Sequence, residues 1–338
     1  METKSSIKKL FKSFEGLKAL IIGDVMIDSY LFGKVDRISP EAPVPIVALN
    51  KRESRLGGAA NVALNIQSMG ATPVLCSVIG QDEKSEHFLE LMQKDNLDTS
   101  GIIKSPHRLT TTKFRIIGNN AQMLRVDEES QINLQNNEMT SLMKIIKDLI
   151  INKEVDVIVF EDYDKGVISH KLILGVVDIA NQQQIPVVVD PKKNNFLFYR
   201  NVDLFKPNMK ELKEGLKIDI DVNNDKELEE AVYKLLERIQ AKVALLTMSD
   251  KGMLVCSKSD SSDNYKCHRI PAHIRKTSDV SGAGDTVVSV AALCTAVGMK
   301  PEMMASLSNM AGGLVCEYVG VVPINKERLM EEAVKMLG

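Results

Sequence analysis

The residues best suited to chemistry in this 338-residue chain lie in the run Asp279-Val-Ser-Gly-Ala-Gly-Asp285-Thr. Gly282 and Gly284 let the backbone approach a ligand with no Cβ in the way. Apolar residues follow at Val287, Val290, Ala291 and Cys294, which is helical spacing, so the turn should feed a helix from Ala283 that Gly298 and Pro301 end. The first-turn amides of such a helix, at the positive end of its dipole, suit an anion, and phosphate is the usual one. A carboxylate in an anion site would repel its ligand. Asp285 makes sense there if it takes a proton from a hydroxyl that attacks phosphorus while the amides hold the transferring oxygens. An ordinary capped helix with a glycine-rich lead-in fits the same spacing.

Other candidates lie where strands should end. Leu17–Gly23 reads as a short apolar strand, followed by Asp24 and Asp28. In α/β sheets ligands gather at such carboxyl ends, which favours Asp28, whereas Asp24 fits turn chemistry. Leu56-Gly57-Gly58-Ala-Ala-Asn61 opens a helix whose buried stripe is Ala59, Val62, Ala63, Ile66 and Met69, with Gly70 as its stop. Asn61 offers a donor and acceptors to a hydroxyl. Ile185–Val189 is an all-apolar strand that runs into Asp190-Pro-Lys192. In Leu204-Phe-Lys-Pro-Asn208-Met-Lys-Glu211, Asn208 and Glu211 have the spacing of a helix capping box.

Strands and helices alternate elsewhere: strands at Thr72–Gly80, Val155–Phe160 and Val243–Met248, and helices from Asp82 to Asn96, Gln135 to Ile151 and Ser169 to Asn181. A second strand after Ser249-Asp-Lys-Gly252 runs to Cys256, and two helices follow Pro301. Three prolines between Pro40 and Pro45 exclude helix there, so extended strands outside the main sheet are expected. Thr110–Ile117 and Gln122–Val126 read as a hairpin around Gly118-Asn119-Asn120. The two stretches would make a small sheet over the candidate site. Asp219–Lys226 and Lys258–Asn264 read as surface loops.

The formal net charge of −2 suggests no nucleic-acid partner, and the 44% hydrophobic share fits a soluble globular protein. No apolar run nears the roughly 20 residues of a membrane span. The lysine-rich, amphipathic Met1–Phe14 lacks the core and cleavage site of a signal peptide. Five scattered cysteines without a Cys-x-x-Cys pair read as buried free thiols, and five histidines show no metal-ligand spacing. A cytoplasmic protein is expected.

In order and spacing these motifs resemble the ribokinase-like (PfkB) sugar kinases. The resemblance implies an α/β fold, with a central mostly parallel sheet flanked by helices and a small β-sheet lid. Residues 1–338 would form one kinase domain, with lid strands from about 29–50 and 108–128. It implies Asp285 as catalytic base and an anion hole at Gly282, Ala283 and Gly284. Asp28, Gly57, Gly58 and Asn61 would meet the sugar, with Asp190 beside it. Asn208 and Glu211 would organise ATP and Mg2+, Glu211 through water, while Thr247, Ser249, Gly252, Asn309 and Gly313 would line the nucleotide. Two positions depart from the common pattern: the Gly-Gly…Asn spacing is one residue short, and Ser249 stands where glycine is frequent.

Within the family, Gly23-Asp-Val-Met-Ile-Asp28-Ser-Tyr, Arg37-Ile-Ser-Pro-Glu-Ala-Pro-Val-Pro45, Thr110-Thr-Thr-Lys113, Asp162-Tyr-Asp-Lys-Gly166 and Asp190-Pro-Lys192 look like the bacterial heptose 7-phosphate kinases. That implies an anomeric hydroxyl as nucleophile and a sugar phosphate held by cations drawn from Lys113, Arg115, Arg125, Lys165 and Lys192. It also implies a homodimer through the lid strands and, with no His-x-Gly-His-like segment, a kinase without a nucleotidyltransferase part. Asp164 and Lys193-Asn-Asn depart from that narrower pattern. Another PfkB kinase, or a non-catalytic sugar- or nucleotide-binding regulator on this scaffold, remains open from the sequence.

Overall fold

The computed structural model describes residues 4–258, 265–273 and 278–338. The expected loop at Lys258–Asn264 therefore lies, past Lys258, outside the described residues, as do residues 1–3 of the amphipathic N-terminus. In chain order the elements are α1 (Lys4–Ser13), β1 (Lys18–Gly23), β2 (Val25–Ile38), β3 (Pro45–Gly58), α2 (Ala59–Ser68), β4 (Thr72–Gly80), α3 (Glu83–Lys94), β5 (Ile102–Ser105), β6 (Thr112–Gly118), β7 (Ala121–Glu128), α4 (Asn136–Ile151) and β8 (Val157–Glu161). They continue with α5 (His170–Gln183), β9 (Val187–Asp190), β10 (Leu204–Phe205), α6 (Met209–Leu216), α7 (Asp225–Ile239), β11 (Val243–Thr247), β12 (Met253–Lys258), β13 (Tyr265–Ile270), α8 (Ala283–Ala296), α9 (Pro301–Val315) and α10 (Lys326–Leu337).

Nine strands form one sheet in the order β13-β12-β11-β10-β9-β8-β1-β4-β5. The pairings from β5 to β11 are parallel, and β12 and β13 add an antiparallel edge. Strands buried on both faces need apolar residues at every position. Leu20-Ile21-Ile22, Val157–Phe160 and Val187–Val189 supply them, and all are buried. Alternation then sends successive residues to opposite sides. Val157, Val159 and Val188 pack with residues of α1, α2, α3, α8, α9 and α10, whereas Ile158, Phe160, Val187 and Val189 pack with α4, α5, α6 and α7. The chain goes from β1 outward through β4 and β5, then returns to the other side of β1 at β8. The order thus reverses between β1 and β8, where α/β sheets open a ligand crevice.

Asp82 caps α3 by accepting the Ser85 amide at 2.8 Å, and Ser169 caps α5 by accepting the Leu172 amide at 3.3 Å. The sheet outside the main one also forms, in the order β3-β2-β6-β7. Its strands are longer than expected. β2 starts at Val25, one residue past β1, so Asp28 lies on a strand of this second sheet and not in a turn after β1. Register gives that sheet two unlike faces. Arg55, Asp28, Lys113 and Asp127 align across one row, and Glu53, Tyr30, Arg115 and Arg125 across the next row of the same face. The opposite face of the hairpin pairs Phe114 with Val126 and Ile116 with Leu124. Asn119 and Asn120 both take positive φ, as a two-residue hairpin turn demands.

One expectation fails. Cys256 and Cys267 are disulfide-bonded; Cys76, Cys294 and Cys316 are free. The pair is 11 residues apart in sequence but directly opposite in the β12–β13 ladder, with Cα atoms 4.1 Å apart. Strand register, which spacing does not reveal, brings them together.

The central strands touch most closely at Gly23, where an added Cβ would lie 2.0 Å from the Glu161 carbonyl oxygen. A Cβ at Gly298 meets nothing within 4 Å and bears only the cost of φ +67°. Gly23→Ala should therefore lower unfolding free energy by about 2–4 kcal/mol, through forced separation of β1 and β8. Gly298→Ala should cost about 1–2 kcal/mol. Urea denaturation of both variants checks the order.

Candidate active site

Alternation at the strand ends builds the floor of the crevice. Gly23, Glu161 and Asp190 align across β1, β8 and β9, and all three face α8, as does Lys206, the next residue after β10. Lys206 Nζ pairs with Asp190 at 2.9 Å, and both are buried. Gly284 sits above them: its Cβ, if present, would lie 3.8 Å from Lys206 Nζ and 3.9 Å from Asp190 Oδ2. Burial pulls the Lys206 ammonium down, but Asp190 and Glu211 outweigh it and raise the group above the ordinary lysine value.

Asp285 stands in the first turn of α8, which begins after Gly282 at φ 78°. Its carboxylate is buried and doubly held: Asn61 Nδ2 donates to Oδ2 at 2.7 Å and Tyr163 Oη donates to Oδ1 at 2.8 Å. Burial raises its pKa above the usual aspartate value, Asn61 and Tyr163 pull it down, Asp190 pushes up and Lys206 pulls down. A carboxylate raised by burial yet still hydrogen-bonded in its charged form has the character of a general base. The Ala283 amide donates to the Val280 carbonyl at 3.2 Å, which leaves Gly282 and Gly284 as the better anion-hole candidates of the expected three.

Asp28 is buried on β2 and ion-paired to Arg115. Gly57 passes so close that a Cβ there would lie 2.4 Å from Asp28 Oδ2. Gly58 precedes α2, and the Ala59 amide donates to the Asp24 carbonyl at 3.0 Å. Asp24 is more than a turn residue. Its carboxylate accepts the amides of Tyr163 (2.9 Å), Lys165 (3.1 Å) and Val167 (3.1 Å) and so shapes the turn after β8. Burial and neighbouring Asp162 push its pKa up to about 6 against those three amides.

Of the expected phosphate-binding cations, Lys113, Arg125 and Lys165 share one network of acidic partners. Lys113 pairs with Asp127 (3.0 Å) and Glu129 (3.5 Å), Lys165 with Glu129 (2.7 Å) and Arg125 with Asp127 (2.9 Å). Lys192 goes elsewhere: its Nζ lies 2.6 Å from Glu211 Oε1 and 5.2 Å from the centre of the Tyr163 ring. That puts it with the residues expected around the nucleotide. Asn208 and Glu211 form a reciprocal capping box for α6, with N–H to oxygen distances of 2.8 and 2.9 Å. Asn208 also bridges to Thr247. Ser249 takes the left-handed conformation at φ 55°, so serine does at this turn what glycine would do more easily. Gly252, Asn309 and Gly313 converge on residues 270–273. A Cβ at Gly252 would meet the Ile270 carbonyl oxygen at 2.1 Å, Asn309 Nδ2 donates to the Pro271 carbonyl at 2.8 Å, and a Cβ at Gly313 would meet the His273 carbonyl oxygen at 2.9 Å.

Three residues of the crevice went unassigned in the sequence: Lys206, Tyr163 and Glu161. Lys206 had a signal, a lysine ending the apolar Leu204-Phe205 pair. Tyr163 lay inside a recognised motif without a role. Glu161 is fully buried, and among the described residues neither of its carboxylate oxygens has a hydrogen-bond partner. Burial, reinforced by Asp190 and Asp285, raises its pKa well above the usual glutamate value.

The family model for pfkB family carbohydrate kinases matches residues 17–328. The curated relatives include the bifunctional protein HldE of Granulibacter bethesdensis, 35% identical over 320 residues and covering 94% of this chain, and that of Methylobacillus flagellatus, 37% identical over 313 residues and covering 93%. The chain spans 65% and 62% of the lengths of these two relatives. Among solved structures, Escherichia coli phosphofructokinase-2 in complex with potassium superimposes with a TM-score of 0.75 at 18% identity, covering 96% of this chain and 99% of the other. Arabidopsis thaliana ribokinase complexed with ribose and ATP gives 0.70 at 14% identity, covering 94% and 99%. The fold is ribokinase-like, and this chain belongs to the pfkB family of carbohydrate kinases.

Proposed function

We propose that the chain transfers the γ-phosphoryl group of ATP to the anomeric hydroxyl of D-glycero-β-D-manno-heptose 7-phosphate. The product would be the 1,7-bisphosphate, a precursor of ADP-heptose and lipopolysaccharide core. The observation that carries the reading is Asp285, buried in the first turn of α8, held by Asn61 and Tyr163 and set above the Asp190–Lys206 pair. The motifs shared with heptose 7-phosphate kinases support the substrate. Family membership supports the broader alternative, another sugar or sugar-phosphate acceptor.

In this mechanism Asp285 takes the proton of the attacking hydroxyl, and Asp28 and Asn61 orient the sugar. The amides of Gly282 and Gly284, with Lys206 beneath, stabilise charge on the transferring oxygens, so positioning and electrostatics carry the rate. Asn208, Thr247, Ser249, Gly252, Asn309 and Gly313 would line the nucleotide. Both Glu211 oxygens are engaged, one by Lys192 and the other by the Asn208 amide. Among the described residues no group of three acidic, histidine or cysteine side chains could hold a metal. Such a donor set fits Mg2+ held through water, the ion taking most ligands from water and phosphates. When bound, Mg2+ would neutralise phosphate charge. Cytoplasmic placement follows from the use of ATP; there the Cys256–Cys267 pair would meet thiol reductants.

The charged face of the second sheet suits the distal phosphate of the sugar. Arg115, already beside Asp28, is the best-placed cation, and Arg55 flanks the same Tyr30 ring. The apolar face suits a second copy of the chain. Leu124 and Val126 are exposed there, β7 is an open edge, and open edges pair.

Four outcomes are expected. Asp285→Asn keeps size and one of the two acceptor oxygens but removes the proton acceptor, so turnover should fall about 100-fold or more with sugar and nucleotide affinities largely kept; near-wild-type turnover would remove the base assignment. Arg115→Gln should lower kcat/KM for heptose 7-phosphate about 10-fold or more, the scale of a hydrogen bond to a charged group, and do much less to unphosphorylated heptose. Lys192→Ala should affect both sugars alike. Sedimentation at micromolar concentration should find a dimer that Leu124→Glu with Val126→Glu converts to monomer; a dimer that persists in the double variant would put the interface elsewhere.

A further inference from the structure

We propose that Tyr163 is the positioning residue of the base, fixing the plane of the Asp285 carboxylate from the side opposite Asn61. The inference rests on Asp285 being the base. A carboxylate on one flexible side chain can rotate, and only some orientations aim a lone pair at a substrate hydroxyl. Here two donors on different elements each take one oxygen: Asn61 from α2 and Tyr163 from the turn after β8.

The turn that carries Tyr163 is tied down at several points. Its amide and those of Lys165 and Val167 converge on Asp24. The preceding residue, Asp162, accepts the Asp164 amide (2.9 Å), Asn195 Nδ2 (3.0 Å) and Tyr199 Oη (2.7 Å). Above the ring lies Lys192, which Glu211 fixes by the 2.6 Å ion pair. The phenol therefore has little freedom to follow a rotating carboxylate. Its hydrogen bond favours the ionised form of Asp285. The other groups facing that carboxylate are Asp190 and Glu161, which oppose ionisation, and Lys206 and Asn61, which favour it. Loss of the phenol donor thus moves the base toward protonation at a given pH.

The test compares wild type, Tyr163→Phe, Asp285→Asn and the double variant, with ATP and heptose 7-phosphate as substrates. Phe keeps the ring against Lys192 and removes only the donor. Its kcat should fall about 10-fold or more, the scale of one hydrogen bond to a charged group. KM for both substrates should change little, and the acid limb of kcat/KM should move to higher pH. In the Asp285→Asn background the same change should add almost nothing, since two groups acting as one unit are not additive. Tyr163→His, which can still donate, should recover part of the loss and serves if the Phe variant does not fold. Wild-type kcat and an unmoved acid limb in a folded Phe variant would overturn the proposal, as would an equal loss in both backgrounds. Full turnover by Asp285→Asn would instead remove the base reading on which the proposal stands.

Discussion

A buried carboxylate can serve as a base only if the protein meets the cost of keeping it charged away from water. The Asp190–Lys206 pair is the constraint on which the crevice depends. It places a buried cation among the acidic side chains Asp190, Glu161, Asp285 and, on the far side, Glu211, which also pairs with Lys192. Removal of one partner from such a pair strands a buried charge and is far more damaging than the pair is stabilising. The arrangement also explains how Glu161 is tolerated. With Asp190 and Asp285 beside it and no hydrogen bond to either carboxyl oxygen, its pKa is pushed well above the ordinary glutamate range, which favours its neutral form.

Topology decides why these residues meet. β1 and β8 are neighbours at the place where strand order reverses, so their carboxyl ends are not roofed by a direct connection. β9 and β10 continue the row, and period-two alternation turns Gly23, Glu161, Asp190 and Lys206 to the same side. α8 packs over that side through Val287, Val288 and Val290, with its amino end over the row. Glycine at 23 lets the two central strands close, and glycine at 284 leaves room above the ion pair. The chemistry therefore rests on apolar packing some distance below it.

Much of this was legible in the sequence because it is local. The apolar runs of β1, β8 and β9, the Asp82 and Ser169 caps, the Asn119-Asn120 hairpin and the start of α8 are each written within a few residues. The hidden features all depend on register between segments far apart. Cys256 and Cys267 meet only once β12 and β13 pair, and Lys206 becomes a partner of Asp190 only once β9 and β10 align. Lys192 shows the same limit from the other side. Its place at a strand end was readable, but which neighbour it would choose depended on Glu211 arriving from the capped start of α6. Pairwise ion contacts on the second sheet were equally unreadable, since Lys113 and Lys165 reach the same Glu129 from different elements.

Asp24 shows how far a residue whose sequence suggests only turn chemistry can reach. Its amide donates to the Glu161 carbonyl at 3.1 Å, its carbonyl accepts the Ala59 amide and its carboxylate accepts the Tyr163 amide. The first contact ties it to β8. The second starts α2 and so sets where Asn61 stands two residues later. The third sets where Tyr163 stands. The two donors that hold Asp285 are thus both placed from one side chain and one carbonyl at the end of β1, where the chain leaves the main sheet for the second one. The two donors to the carboxylate therefore share one junction between the sheets, held by five hydrogen bonds about Asp24, without any contact between Asp24 and Asp285 being needed.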